Sequence, residues 1–259
     1  MEPEDGEEKD RPAVLYLHGI AQTRGYQHRV GLYEKLLEMG HSVLAIDYRG
    51  FADSTDLEDI TEKTVVEDAA TSLRYLRSIP RIFSHQHFCH REELGAEKVL
   101  VWGHSQGAAV AVHMVALEKI AGVGLLLESP YNSLDGQVRV TLPWHLRVIV
   151  LNLVGLKSID LEFLSAMWAA QVTWPILILH AEDDHKIPQH LSEKICEETK
   201  GTDNPISRIL FSKEFGFRHN DIYQFPYLQE LLTKFEANAI DTQGSTIKCT
   251  PENMDSCLN

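Results

Sequence analysis

The sequence predicts a single α/β domain, a mostly parallel sheet with helices on both faces, and three observations predict it. Short runs rich in Val, Ile and Leu recur along the chain. They are apolar throughout rather than alternating, which is how strands buried on both faces of a parallel sheet read. Stretches with helical periodicity lie between them, so strand and helix alternate and right-handed crossovers follow. The 259 residues, 44% of them hydrophobic, suffice for one sizeable core.

Taken in order, residues 1–11 open with MEPEDGEEKD, too acidic and too poor in apolar side chains to order. AVLYL at 13–17 is the first strand, a helix is expected over 33–39, and SVLAID at 42–47 is the second strand. A helix at 65–77 leads into residues 80–96, where CHREELG reads as a helix start. KVLVW at 98–102, a helix at 106–118 and VGLLLE at 123–128 resume the rhythm. Residues 130–170 then separate two core strands by far more than an ordinary connection, which makes them a cap insertion. Inside it a helix is expected after Pro143, with apolar residues at 146, 148–151, 153, 154 and 156 covering almost its whole circumference. Such a helix is either buried over the sheet or, with Trp144 at its rim, rests on a membrane interface or lines an acyl channel. PILILH at 175–180, a helix at 189–198, SRILF at 207–211 and a helix at 227–237 complete a core spanning 12–129 and 171–240. Residues 241–259 are expected to be a disordered tail.

The formal net charge is −14, of which the two termini carry half, so the body holds no basic face of the kind nucleic acid needs. Cys89, Cys196, Cys249 and Cys257 show no framework spacing, and free thiols in a reducing compartment are expected. No signal-peptide pattern opens the chain and no apolar run reaches the length of a membrane span, which points to a cytoplasmic or peripheral protein.

The stretch VLVWGHSQGAAVAVHMVA at 99–116 carries the chemistry. It runs from strand to helix through Gly103-His104-Ser105-Gln106-Gly107, a G-x-S-x-G turn in the context that pattern requires, with Ser105 exposed at the apex. A serine hydroxyl is a weak nucleophile and needs a base to take its proton and a carboxylate to orient that base. Beyond the strand at 175–180 comes Ala181-Glu182-Asp183-Asp184, and beyond the next strand comes Phe215-Gly216-Phe217-Arg218-His219. Both loops follow strand carboxyl ends, where open α/β sheets place their sites. Asp184 is preferred to Asp183 because it stands four residues after His180 and nearer Ile187-Pro188. An oxyanion hole needs backbone N–H donors. Gln106 follows the nucleophile, and the turn Leu17-His18-Gly19-Ile20-Ala21 offers Ile20. The run His85-x-His87-x-Cys89-His90 has metal-ligand residue types but no partners elsewhere, so the reading calls for neither metal nor cofactor.

The motifs YLHG, HRVGLYEKLLEMGHSVLAIDYRGFADST, VWGHS, LESPYNS, ILILHAEDD and GFRH, spread over residues 12–237, resemble the α/β-hydrolase-domain serine hydrolases that cleave lysophosphatidylserine and monoacylglycerols. The resemblance implies the α/β-hydrolase fold, Ser105 as nucleophile, Asp184 as orienting acid, His219 as base, and a single-chain lipid ester as substrate. Members of that family are anchored at the endoplasmic reticulum membrane, which implies peripheral membrane contact. They usually have Asn where this chain has Ile20 and Leu where it has Gln106, changes that bear on rate or selectivity because the donors are backbone groups. Two early strands of the fold are expected to be missing, leaving the strand at 13–17 without its outer neighbour and prone to association. Two other readings share these residues: a peptidase of the prolyl-oligopeptidase kind, weakened by the lack of propeller repeats, and a non-catalytic binding protein on the same fold.

Overall fold

A computed structural model of the protein describes residues 11–54, 60–85, 88–93, 99–119, 121–141, 163–202, 206–238, 240 and 246–257. The chain runs β1 (Ala13–Leu17), α1 (Gln27–Glu38), β2 (Val43–Ile46), α2 (Glu62–Ser78), β3 (Pro80–His85), β4 (Phe88–Glu93), β5 (Val99–His104) and α3 (Gln106–Glu118). It continues β6 (Gly124–Glu128), α4 (Leu134–Thr141), α5 (Ser165–Ala169), β7 (Ile176–Ala181), α6 (His190–Glu198), β8 (Ile206–Phe211), α7 (Leu228–Glu236) and β9 (Thr246–Cys249). Seven strands form one sheet in the order β2-β1-β5-β6-β7-β8-β9, every pair parallel.

Successive strand residues face opposite sides of the sheet, and each side has its own core. Leu15, Leu17, Val101, Leu125 and Ile178 pack with α2, α3 and α6, whereas Val14, Tyr16, Trp102, Leu126 and Leu179 pack with α1 and α7. Helix α3 buries nine of its 13 residues, Gly107 to Val112 and Met114 to Ala116, and it lies in the middle of its layer. Helix α2 starts where Thr61 and Thr64 cap each other reciprocally. After β1 the chain steps outward to β2, and it returns on the other side of β1 to form β5. The carboxyl ends of β1 and β5 therefore flank the point where winding reverses, and a crevice opens there.

The six expected core strands are present with ends displaced by a residue or two, and the five expected helices are present with α1 starting well before residue 33. Four expectations are corrected. Residues 80–93 form an antiparallel hairpin, with Phe83 opposite His90, rather than leading into a helix. The tail is not featureless, because Thr246–Cys249 pairs with β8 as a seventh strand. Its burial pattern leaves only Cys249 inside, so composition alone conceals it. Cys249 and Cys257 form a disulfide and are fully buried, while Cys196 is a buried free thiol. Finally, β1 is paired on both sides, and the half-buried edge strand is β2. The expected helix at 144–156 lies outside the described residues, as does the acidic run at 1–10.

Candidate active site

Ser105 is the residue between β5 and α3, with φ 56° and ψ −119°. That backbone conformation costs on the order of 1–3 kcal/mol and persists only where its surroundings impose it. They do so here through close packing. A Cβ on Gly103 would overlap the Gly107 carbonyl, and one on Gly107 would overlap the Leu17 carbonyl. Only glycine lets α3 start this close to β5 and β1. The Ser105 N–H donates to the Glu128 carbonyl at 2.8 Å, tying the turn to the end of β6. Ser105 also sits at the amino end of α3, where the helix dipole favours negative charge.

Asp184 stands in the turn after β7. Its Oδ1 accepts the N–H groups of Lys186 and Ile187, both at 2.9 Å, which fixes the carboxylate plane. Its Oδ2 accepts His219 Nδ1–H at 2.7 Å. Burial pushes this carboxyl up, but hydrogen bonds from His180 and His219 and the favourable electrostatics of the two rings outweigh that and hold it well below the usual carboxylate range. An ionised Asp184 that occupies Nδ1–H leaves the Nε2 lone pair of neutral His219 free to accept a proton. His180 Nε2 completes the turn, donating to the Ile187 carbonyl at 2.8 Å with Asp184 Oδ2 at 3.4 Å.

His219 is 4% exposed and is held from two further directions. His104, next to Ser105, donates from Nε2 to the His219 carbonyl at 2.9 Å, and the two rings lie 4.9 Å apart. Burial first, and His219 second, push the His104 imidazole well below its ordinary range, so it stays neutral beside the His219 ring. Asp183 Oδ1 accepts the Arg218 N–H at 3.0 Å, steadying a residue at φ 52°.

The turn after β1 meets Ser105 directly, since a Cβ on Gly19 would come 3.1 Å from Ser105 Cβ. Ile20 beside it is 65% exposed. Asp47, just beyond β2, anchors the far end of this loop by accepting Arg24 N–H at 2.7 Å and Arg24 Nη1 at 2.6 Å. Gln106 is fixed on the opposite side, its Oε1 accepting the Tyr131 hydroxyl at 2.8 Å. Ser105, Asp184, His219, Gln106 and Ile20 thus all stand at the carboxyl edge of the sheet. Among the described residues no cluster of His, Cys, Asp and Glu suits a metal ion. The side chains of His85, Cys89 and His90, and all of His87, lie outside the described part.

The parts played by His104, inside the G-x-S-x-G turn, and by Asp47 were missed, because their partners, the His219 carbonyl and Arg24, are remote in sequence. Arg29 was missed too, although an arginine on the same helical face as Leu32 and Leu36 is a usable signal.

Residues 12–161 match the model of a family described as the α/β hydrolase fold. A lysophosphatidylserine lipase, ABHD12 of Danio rerio, is 31% identical over 88% of this chain and 59% of its own length. Protein ABHD12B of Homo sapiens is 28% identical over 84% of this chain and 58% of its own. The chain thus spans about three fifths of the length of these curated relatives. Among solved structures, the Pyrococcus furiosus esterase Pf2001 superposes with a TM-score of 0.65 at 19% identity, over 89% of this chain and 82% of that one. Est1E of Butyrivibrio proteoclasticus, solved with ferulic acid, gives 0.60 at 17% identity over 93% of each chain.

Proposed function

The chain belongs to the α/β-hydrolase fold family, and from that premise we propose that it is a serine hydrolase cleaving the fatty-acyl ester of a lysophospholipid of the lysophosphatidylserine kind or of a monoacylglycerol. The observation that carries this reading is the 2.7 Å bond from His219 Nδ1 to a buried, ionised Asp184, beside a serine held at φ 56° at the head of α3. The substrate class is supported by the relatives named as lysophosphatidylserine lipases.

His219 Nε2 takes the Ser105 hydroxyl proton as Oγ attacks the ester carbonyl carbon. The carbonyl oxygen becomes an oxyanion, which the N–H groups of Gln106 and Ile20 hold. The intermediate collapses, His219 protonates the departing glycerol oxygen, and the acyl group stays on Ser105. Water, deprotonated by His219, then attacks the acyl-enzyme and releases the fatty acid. Asp184 keeps the imidazole in one tautomer and stabilises its charged form. No cofactor enters these steps. In this reading the segment 130–170 is the cap insertion of a core of 12–129 and 171–240, to which β9 adds a strand. Contact with lipid is peripheral in this scheme. No helix among the described residues is long and apolar enough to cross a membrane.

The test uses a fluorophosphonate probe, which labels only an activated serine. Wild type is expected to label rapidly and Ser105→Ala not at all, with ester turnover lost in parallel. Undiminished labelling of Ser105→Ala rejects the assignment. Turnover across lysophosphatidylserine, other lysophospholipids, monoacylglycerols and short soluble esters then tests the substrate, and equal rates on all of them reject the lipid reading.

A further inference from the structure

The loop that offers the Ile20 N–H is fastened by a side chain outside the triad. Arg29 lies in the first turn of α1, on the face that buries Leu32 and Leu36, and is 2% exposed. A guanidinium presents five donors in a rigid fork, accepts nothing and stays charged. Nη1 donates to the Thr23 carbonyl at 2.6 Å and Nη2 to the Ala21 carbonyl at 2.7 Å, with the Gly19 carbonyl at 3.5 Å from the same nitrogen. Nε is buried with no acceptor, and among the described residues no carboxylate pairs with this cation. A buried, unpaired positive charge is costly in an ordinary core and calls for another explanation.

A trans peptide sets its C=O and N–H on opposite sides of one plane. The Gly19 carbonyl turns toward His18 Nδ1 at 2.6 Å and toward Arg29, so the Ile20 N–H of that plane points away from both. The same rule is visible farther along the loop. There Arg29 holds the Thr23 carbonyl, and the Arg24 N–H of that peptide points away to Asp47. Gly19 lies against Ser105, so the Gly19–Ile20 peptide that carries this donor is a neighbour of the serine. Residue 28 adds a second tie, since the His28 ring packs 5.6 Å from the His104 ring beside Ser105.

We propose that Arg29 is the positioning residue of the oxyanion hole: its fork draws the carbonyls of residues 19, 21 and 23 to one side, which aims the Ile20 N–H at the anion formed on Ser105. Its charge stands behind that donor, and among the described residues no carboxylate is in contact with it, so it is compensated when the oxyanion forms. This inference rests on the serine-hydrolase reading and extends it.

The experiment compares wild type with Arg29→Met and Arg29→Lys on a soluble p-nitrophenyl ester. It also measures inhibition by a trifluoromethyl ketone, which adds to Ser105 as a tetrahedral oxyanion, and by the planar methyl ketone of the same chain length. Arg29→Met is expected to lower kcat by about 10²- to 10³-fold, the span for losing one oxyanion donor. Trifluoromethyl ketone affinity should fall by a similar factor, while KM and methyl ketone affinity move less than about threefold. Arg29→Lys keeps the charge without the fork and should fall between. An unchanged kcat in Arg29→Met overturns the proposal. Equal weakening of both ketones overturns it as well, because a merely structural role strikes both alike, and so does failure of both variants to fold. A wild-type chain that neither turns over the ester nor takes a fluorophosphonate label rejects the hydrolase reading itself, and this inference with it.

Discussion

Two adjacent carboxylates, Asp183 and Asp184, differ in what their oxygens face. Asp184 is buried and satisfies two backbone N–H groups and the His219 ring, whereas Asp183 reaches the Arg218 N–H at an exposed position. Asp184→Asn should therefore lower kcat by about 10⁴-fold, because the wrong imidazole tautomer is favoured. Asp183→Asn keeps an oxygen acceptor and should cost less than about tenfold. Steady-state kinetics on one short ester ranks them, and the reverse order would move the acid to residue 183. Glu128 is a second carboxyl with an unusual setting. Burial pushes it up to about 8 from 4.5, against the lowering effect of the Trp102 indole N–H bonded to it at 2.9 Å. Between those two pH values the folded chain holds a proton that the unfolded chain releases, so stability falls as pH rises across the window. Glu128→Gln keeps the acceptor for Trp102 and removes that slope. Its melting temperature should exceed wild type by several degrees at pH 8.5 and by far less at pH 5; a difference independent of pH would refute the assignment. These residues also show what was legible. Ser105, Asp184 and His219 sit in turns with local syntax, whereas Arg29, His104 and Glu128 act through neighbours remote in sequence, so neither a helical face nor a shared motif reveals what they do.

At the scale of elements, the junction of β5 with α3 depends on the absence of two side chains. A methyl at residue 107 would overlap the Leu17 carbonyl, which belongs to β1 and cannot give way without parting strand from helix. Gly107→Ala should thus destabilise the fold by about 3 kcal/mol or more, at the upper end for overpacking. Urea unfolding measures this, and a midpoint unchanged from wild type would mean that α3 moves freely. Here α3 was read from sequence to its end residues and β5 to within two, because an apolar strand, a glycine turn and an alanine-rich helix state the same thing at every level. β9 was not, because Thr246-Ile247-Lys248-Cys249 owes its place to the backbone edge of β8 and to the Cys257 partner, not to a pattern of its own. The hairpin at 80–93 was missed for a related reason. Residues such as Arg91, Glu92 and Glu93 favour helix locally, and pairing with Pro80, Arg81 and Ile82 overrides that preference.

For the whole molecule, the reversal of winding between β1 and β5 places the Ser105 turn and the loop after β1 side by side, and the turns after β7 and β8 bring Asp184 and His219 to the same edge. The sheet end is therefore the face that must meet lipid under the proposed function, and the molecule approaches it with a formal charge of −14. Residues 130–170 are balanced in charge, with Asp135, Asp160 and Glu162 against Arg139, Arg147 and Lys157, so the excess lies elsewhere in the sequence. A long-range repulsion of this kind depends on ionic strength, because screening shortens from about 30 Å at 0.01 M salt to about 8 Å at 0.15 M. On vesicles of anionic lipid carrying lysophosphatidylserine, turnover should therefore rise several-fold over that salt range. On neutral phosphatidylcholine vesicles carrying a monoacylglycerol it should stay nearly flat, since no surface charge opposes approach. The comparison separates encounter from chemistry, because Ser105, His219 and the oxyanion donors are the same on both surfaces. A fall in turnover with salt on the anionic vesicles would point to a cationic docking patch and would overturn repulsion as the force that governs encounter.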